Sequence, residues 1–231
     1  MSASSPAVRA ASAVPDARAS FIRRTYLYVA LAVVAFAAVE ALLLQWPAAR
    51  DLARQMTQGY NWLLVMLAFG IITSFADRWA RTTTSAGKVY AGFALFIVAE
   101  ALLFLPLMLG VADQADDVLV TAVLITAMMV VGLTVFAFVS GTDFSFLRGA
   151  LVIGGFLSLG LIVTSILFGF SLGPLFAFAM VAFASGSILY NTSNILRVYR
   201  TDQEVAAALS LFASIALLFW YVLSIVSRQR R

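Results

Sequence analysis

The sequence predicts an all-α, polytopic membrane protein folded as a seven-transmembrane-helix bundle, and three observations carry that expectation. Hydrophobic residues make up 63% of the chain and charged residues 11%. With a mean hydropathy of +0.99, this lies outside the range of soluble domains. Seven apolar windows follow one another, each bordered by charges, Gly or Pro. The 231 residues accommodate seven spans of about 20 residues with short connections, which leaves no room for a large soluble domain. Neither Cys nor His occurs, so disulfides, thiolate nucleophiles, histidine-ligated haem and the usual zinc sites are all excluded. No cofactor or metal is expected. The net charge of +4 is modest and gathers at span ends, as topology signals and lipid headgroup contacts do, so no nucleic-acid partner is expected.

The elements follow in order. Residues 1–20, MSASSPAVRAASAVPDARAS, are small and polar with two prolines, and are expected to form a disordered cytoplasmic tail ahead of a seven-helix domain over 21–231. The first apolar run, 25–46, exceeds the roughly 7–15 residues of a signal-peptide core, so it reads as an uncleaved span. Further spans are expected at 60–76, 88–110, 118–140, 146–169, 174–196 and 205–226, successive ones antiparallel because their connections are short. With the N-terminus inside, ten of the 15 basic residues fall on the inner side, and the loop holding Asp113, Asp116 and Asp117 falls outside. The C-terminal Arg228, Arg230 and Arg231 then face out, against the rule. Either the earlier loops dominate or a late segment is re-entrant; the absence of any charge in 205–226 favours seven full spans.

Two acids lie inside the apolar windows, where an ionisable group costs at least about 2.5 kcal/mol and is a functional candidate by default. Glu100, in FIVAEALLFLPL, is far from other charges, and Pro106 follows to bend the helix end. Its alternative reading is a protonated acid bonded to a neighbouring helix. Glu40 lies near Trp46 and is expected to reach the outer interface. Polar stripes run along the last two windows. Ser187, Asn191 and Asn194 follow i, i+4, i+7, and Ser210 and Ser214 stand one turn apart. Interhelical hydrogen bonding, worth about 0.6 kcal/mol per bond on average, is preferred as the reading of such stripes over a remodelled, neutral ion or proton site.

Other features read as architecture. Thr201 and Glu204 have capping-box spacing. Ala150, Gly154 and Ser158, like Ala182 and Gly186, form small-residue ridges for close helix contact. Asp143 is placed to cap the fifth span or to pair with Arg148. Trp46, Tyr60, Trp62, Trp220 and Tyr221 suit aromatic belts. With no HExxH, no GxSxG and no paired intramembrane Asp, an enzyme is not expected.

Four stretches, FIRRTYLYVALAVVAFAAVEAL (21–42), GLTVFAFVSGTDFSFLRGAL (132–151), SILYNTSNI (187–195) and AALSLFASIALLFWYVLSIV (207–226), resemble in order and spacing the transmembrane Bax inhibitor (Bax inhibitor-1-like) family. The likeness is to a divergent bacterial member. The resemblance implies a last helix surrounded by the other six, and a pair of aspartates in the last two spans that responds to protons and calcium. Asn191 and Ser214 stand where those acids would be, and neither an amide nor a hydroxyl titrates. They are degenerate switch positions. The family's basic partner, a latch near the end of the second span, corresponds to Arg78 or Arg81, and spacing does not decide between them. The resemblance further implies a bacterial inner membrane, in which the basic residues place the N-terminus on the cytoplasmic side and the composition makes the lipid bilayer a partner. Its preferred functional form is a non-enzymatic regulator or scaffold that modulates a membrane-bound quality-control protease. The alternative is a calcium leak or proton-linked transporter in which Glu100 replaces the missing pair.

Overall fold

In hydrocarbon every backbone N–H and C=O must be satisfied within its own segment, and uninterrupted apolar runs do this as helices. The computed structural model describes residues 8–82, 85–112 and 117–229. It contains α1 (Pro15–Gln45), α2 (Pro47–Thr57), α3 (Asn61–Ala80), α4 (Ala86–Ala112), α5 (Asp117–Ser140), α6 (Leu147–Phe168), α7 (Gly173–Arg197) and α8 (Glu204–Gln229). Short 3-10 turns occur at Ala10–Ser12 and Phe144–Phe146. All except α2 are long and apolar enough to cross a membrane, and no strand is formed among the described residues. Residues 1–7 of the tail, Asp113, Asp116, Arg230 and Arg231 lie outside the described residues.

The last helix forms the axis of the bundle. Leu209, Leu211, Leu218 and Leu223 are fully buried, and α8 packs against α1, α3, α4, α5 and α7. Phe212 is held edge-on between Phe36 of α1 and Phe96 of α4. Helix α6 is peripheral among the surrounding spans, sharing only a cleft with α8. No residue of α6 is buried, and it packs on α7 and the Phe144–Phe146 turn. Its small-residue ridge explains the choice of neighbour: a Cβ on Gly154 would lie 3.1 Å from the Phe183 ring, and Ser158 Oγ is 3.0 Å from Met180 Sδ. A close crossing between α3 and α4 lies away from the small-residue ridges read in the sequence. Gly92 lies against the α3 backbone at Ala76 and Ala80, both buried.

Several expectations differ from the structure. Ordered chain begins well before residue 21: Thr201 N donates to Val8 O, Ala10 N donates to Tyr199 O, and Ala10 is fully buried. These backbone bonds supply the cohesion that the side chains lack. Pro15 in the first turn and Asp16 then start α1, as a fixed φ and an acid at the positive helix end should. The segment after Trp46, read as connection, is the amphipathic helix α2. Ala49, Ala53 and Met56 face the bundle and pack towards α4, while Asp51 and Arg54 pair on the outside at 3.4 Å.

The capping box does not form, because α8 starts at Glu204 and the cap position falls on Gln203. Glu204 lies 3.9 Å from Arg24 instead. Helix α4 continues through Pro106 to Ala112. Trp46 and Tyr60 are exposed as a belt requires. Trp220 and Tyr221 instead pack inward, Trp220 edge-on to Phe104 and stacked on Trp62, and Tyr221 edge-on to Phe176.

Candidate functional site

Helices α7 and α8 meet along their polar stripes. Asn191 Nδ2 donates to Ser214 Oγ at 2.8 Å and to Ser210 O at 3.1 Å. Ser214 is buried, and its hydroxyl is 3.2 Å from the Ser210 carbonyl, so it accepts from the amide and donates to its own helix. The Ser210 hydroxyl lies 3.1 Å from Ala206 O and 2.7 Å from Tyr199 Oη. A serine has one proton, and with that proton on Ala206 O, Tyr199 is the donor. Asn191 and Ser214 thus hold each other in a direct neutral hydrogen bond. The rest of the α7 stripe does not join them: Ser187 Oγ donates to Phe183 O on its own helix.

This track reaches the basic end of the bundle. Arg81, at the end of α3, places its guanidinium carbon 5.8 Å from the centre of the Tyr199 ring and pairs with Asp77 at 2.7 Å. Burial pulls its basicity down, but the Asp77 and Tyr199 oxygens more than offset this, and the net direction is upward. Arg78 takes a different course, 5.9 Å from the centre of the Phe75 ring on its own helix. Of the two latch candidates, Arg81 is the one that touches the track.

The surrounding loops fix the frame. Gly141 ends α5 with φ +58°, a left-handed conformation suited to glycine, and its carbonyl accepts from Arg197 Nη2. Asp143 Oδ1 accepts from Ser145 N at 2.9 Å, capping the turn that leads into α6; Arg148 takes no part. The backbone N–H of Ser145 beside it holds the Asp143 carboxyl below its ordinary 3.8. Phe144 N donates to Ser193 Oγ at 3.2 Å, which ties this turn to α7 two residues from Asn191.

The two intramembrane acids sit apart from the polar track. Glu100 is buried in α4, with no hydrogen bond or ion pair among the described residues. Glu40 faces the bundle: it is 3% exposed, and neither carboxyl oxygen has a hydrogen-bond partner. Its Cβ points back over the preceding helical turn, into the bundle.

Sequence reasoning missed Tyr199 and Ser193. Tyr199 lies in RVYR at the end of a span, where an aromatic beside arginines reads as a belt residue. Only the fold of the α7–α8 connection turns it onto Ser210.

A bundle of long apolar helices with a central last helix, joined to its neighbour by a buried polar contact, defines a polytopic membrane protein. The chain belongs to the Bax inhibitor family: the family described as "Inhibitor of apoptosis-promoting Bax1" matches residues 18–231. The chain is 25% identical over 232 residues to Protein LIFEGUARD 2 of Arabidopsis thaliana, covering 97% of this chain and 94% of that protein. It is also 30% identical over 150 residues to the uncharacterized protein PA2604 of Pseudomonas aeruginosa, 64% of each chain.

Proposed function

We propose that this protein is a non-enzymatic regulator or scaffold of the inner membrane of a bacterium, with a cytoplasmic N-terminus, and that it works without a titrating switch. The direct Asn191–Ser214 bond carries the reading. A carboxylate pair at this separation would share a proton, because two like charges so close cannot both ionise cheaply, and its occupancy would follow pH and calcium. An amide and a hydroxyl stay bonded at every physiological pH. As neutral ligands they do little to offset the dehydration of Ca²⁺ in a low-dielectric site. The α7–α8 contact therefore does not change with pH or calcium, which suits a constant surface presented to a partner such as a membrane-bound quality-control protease.

Calcium and proton flux in proteoliposomes between pH 6 and 8 tests the proposal, comparing the natural chain with the double variant Asn191→Asp/Ser214→Asp and with Glu100→Gln. The expected result is a silent natural chain and flux in the double aspartate variant. Flux in the natural chain that vanishes in Glu100→Gln would overturn the reading in favour of a calcium leak or proton-linked transporter built on Glu100. Co-purification of the natural chain with a membrane-bound protease from its own membranes, undiminished in Glu100→Gln, is the matching positive result.

A further inference from the structure

Helices α1 and α5 both lie against α8, and they meet at the basic end where the Tyr26 and Phe138 rings are 6.0 Å apart. From Val29 to Leu44 of α1 a groove of about 540 Å³ separates them, floored by Phe212 and Phe219 of α8. Val33, Val123 and Val131 on its rims are exposed, so the groove opens sideways to lipid. Its walls are aliphatic and aromatic with two exceptions, Glu40 of α1 and Thr126 of α5. Both residues are buried, at 3% and 6% exposure, and the two Glu40 carboxyl oxygens and Thr126 Oγ1 have no hydrogen-bond partner. A buried polar group without a partner costs about 1–3 kcal/mol, more when charged. Here one acid and one hydroxyl from different helices carry that cost at a single apolar groove. No cationic side chain lines it.

The geometry points to a binding site for an amphiphilic amine, its ammonium group paired with the Glu40 carboxylate and its hydrocarbon tail along the groove between α1 and α5. Charge complementarity selects this occupant. A plain acyl chain would fill the volume and leave three polar oxygens unsatisfied, whereas a cation completes an ion pair in a site with no other counter-charge. Orientation agrees with the bilayer. Glu40 stands five residues before the end of α1 at Gln45, about 8 Å at 1.5 Å per residue. The stretch from Glu40 back to Val29 gives a tail about 16 Å of groove towards the membrane centre. An amine entering from that leaflet would place its head and tail as a lipid does.

The test uses the full chain in phosphatidylcholine nanodiscs, with empty nanodiscs as reference, and measures equilibrium binding of radiolabelled N,N-dimethyldodecylamine beside dodecanol. The proposal requires saturable binding of the amine, absent for dodecanol, that weakens about tenfold or more in Glu40→Gln, as loss of one partner of a buried charge pair should. Ala127→Trp supplies a second, independent variant. Ala127 lines the groove from an exposed position, so the indole would fill the path of the tail while the acid stays in place, and binding should again be lost. Equal saturable binding of dodecanol would overturn the proposal, since the site would then read chain and hydroxyl, not charge. Amine binding that survives both variants, or no saturable binding at all, would overturn it as well.

Discussion

Replacing Gly92 with alanine tests whether the α3–α4 crossing sets the position of Arg81. A Cβ at this position would lie 2.5 Å from Ala76 O, 2.9 Å from Ala80 N and 2.9 Å from Trp79 Cβ. Two of these atoms belong to the backbone and the third is fixed to it, so no rotamer change relieves the contact. Ordinary contact starts at 3.4 Å, and α3 must therefore retreat by roughly 1 Å along a segment whose Ala76 and Ala80 are buried. Overpacking of this kind costs about 1–3 kcal/mol, while Gly to Ala within a helix returns up to about 1 kcal/mol. Since rigid atoms meet the new methyl, we expect a net destabilisation of about 1–2 kcal/mol. The assay is thermal unfolding of the detergent-solubilised chain, with Gly132→Ala in α5 as the control, because nothing lies within 4 Å of that Cβ. The control should be neutral or stabilised. If Gly92→Ala unfolds no earlier than Gly132→Ala, the crossing is looser than this reasoning requires, and Arg81 is not positioned by it.

Four further outcomes are expected. Because the chain has no cysteine, single cysteines at Gln58 and Ser171 should react with an impermeant maleimide on intact cells, and those at Thr142 and Asp202 only after permeabilisation; a mixed pattern within either pair would refute seven antiparallel spans. Tyr199→Phe should cost about 0.6 kcal/mol, the average for an interhelical bond in a membrane, with no further loss when combined with Ser210→Ala, as a double-mutant cycle in thermal unfolding would read. Asp143 has a depressed folded value, so its capping contribution is complete above 3.8 and is lost as pH falls through the lower folded value; protection of the Ser145 amide from hydrogen exchange should fall in that acidic window, and Asp143→Ala should abolish the pH dependence. Gly154→Val should push α6 away from Phe183, now 3.1 Å from a Cβ at that position; faster proteolysis around the α6–α7 connection, with α8 unaffected, would report it.

How much was legible depends on the range of the interaction that decides each feature. The windows expected at 88–110 and 118–140 fall within α4 and α5 to within two residues, because hydropathy and backbone satisfaction act inside one segment. The Ala150, Gly154, Ser158 ridge was readable for the same reason, since small residues at helical spacing leave room for a neighbouring helix to come close. Helix α2 escaped because its apolar residues are mainly alanines, too small to register beside Arg50, Asp51 and Arg54. The ordered stretch from Val8 to Ser20 escaped because backbone bonds to residues 199–201 hold its start, and backbone atoms leave no trace in composition.

By itself the sequence determined the solvent, the seven spans, the likeness to the Bax inhibitor family, and the chemical neutrality of Asn191 and Ser214, since all of these depend on residue type and local order. Only the tertiary structure decided that those two side chains touch at 2.8 Å, that Arg81 and not Arg78 reaches Tyr199, and that Glu40 turns into an apolar groove. The reason is geometric. Each of these facts depends on the rotation of one helix against another, and an apolar helix presents nearly the same composition on every face, so the partner a side chain meets is fixed only when the bundle packs.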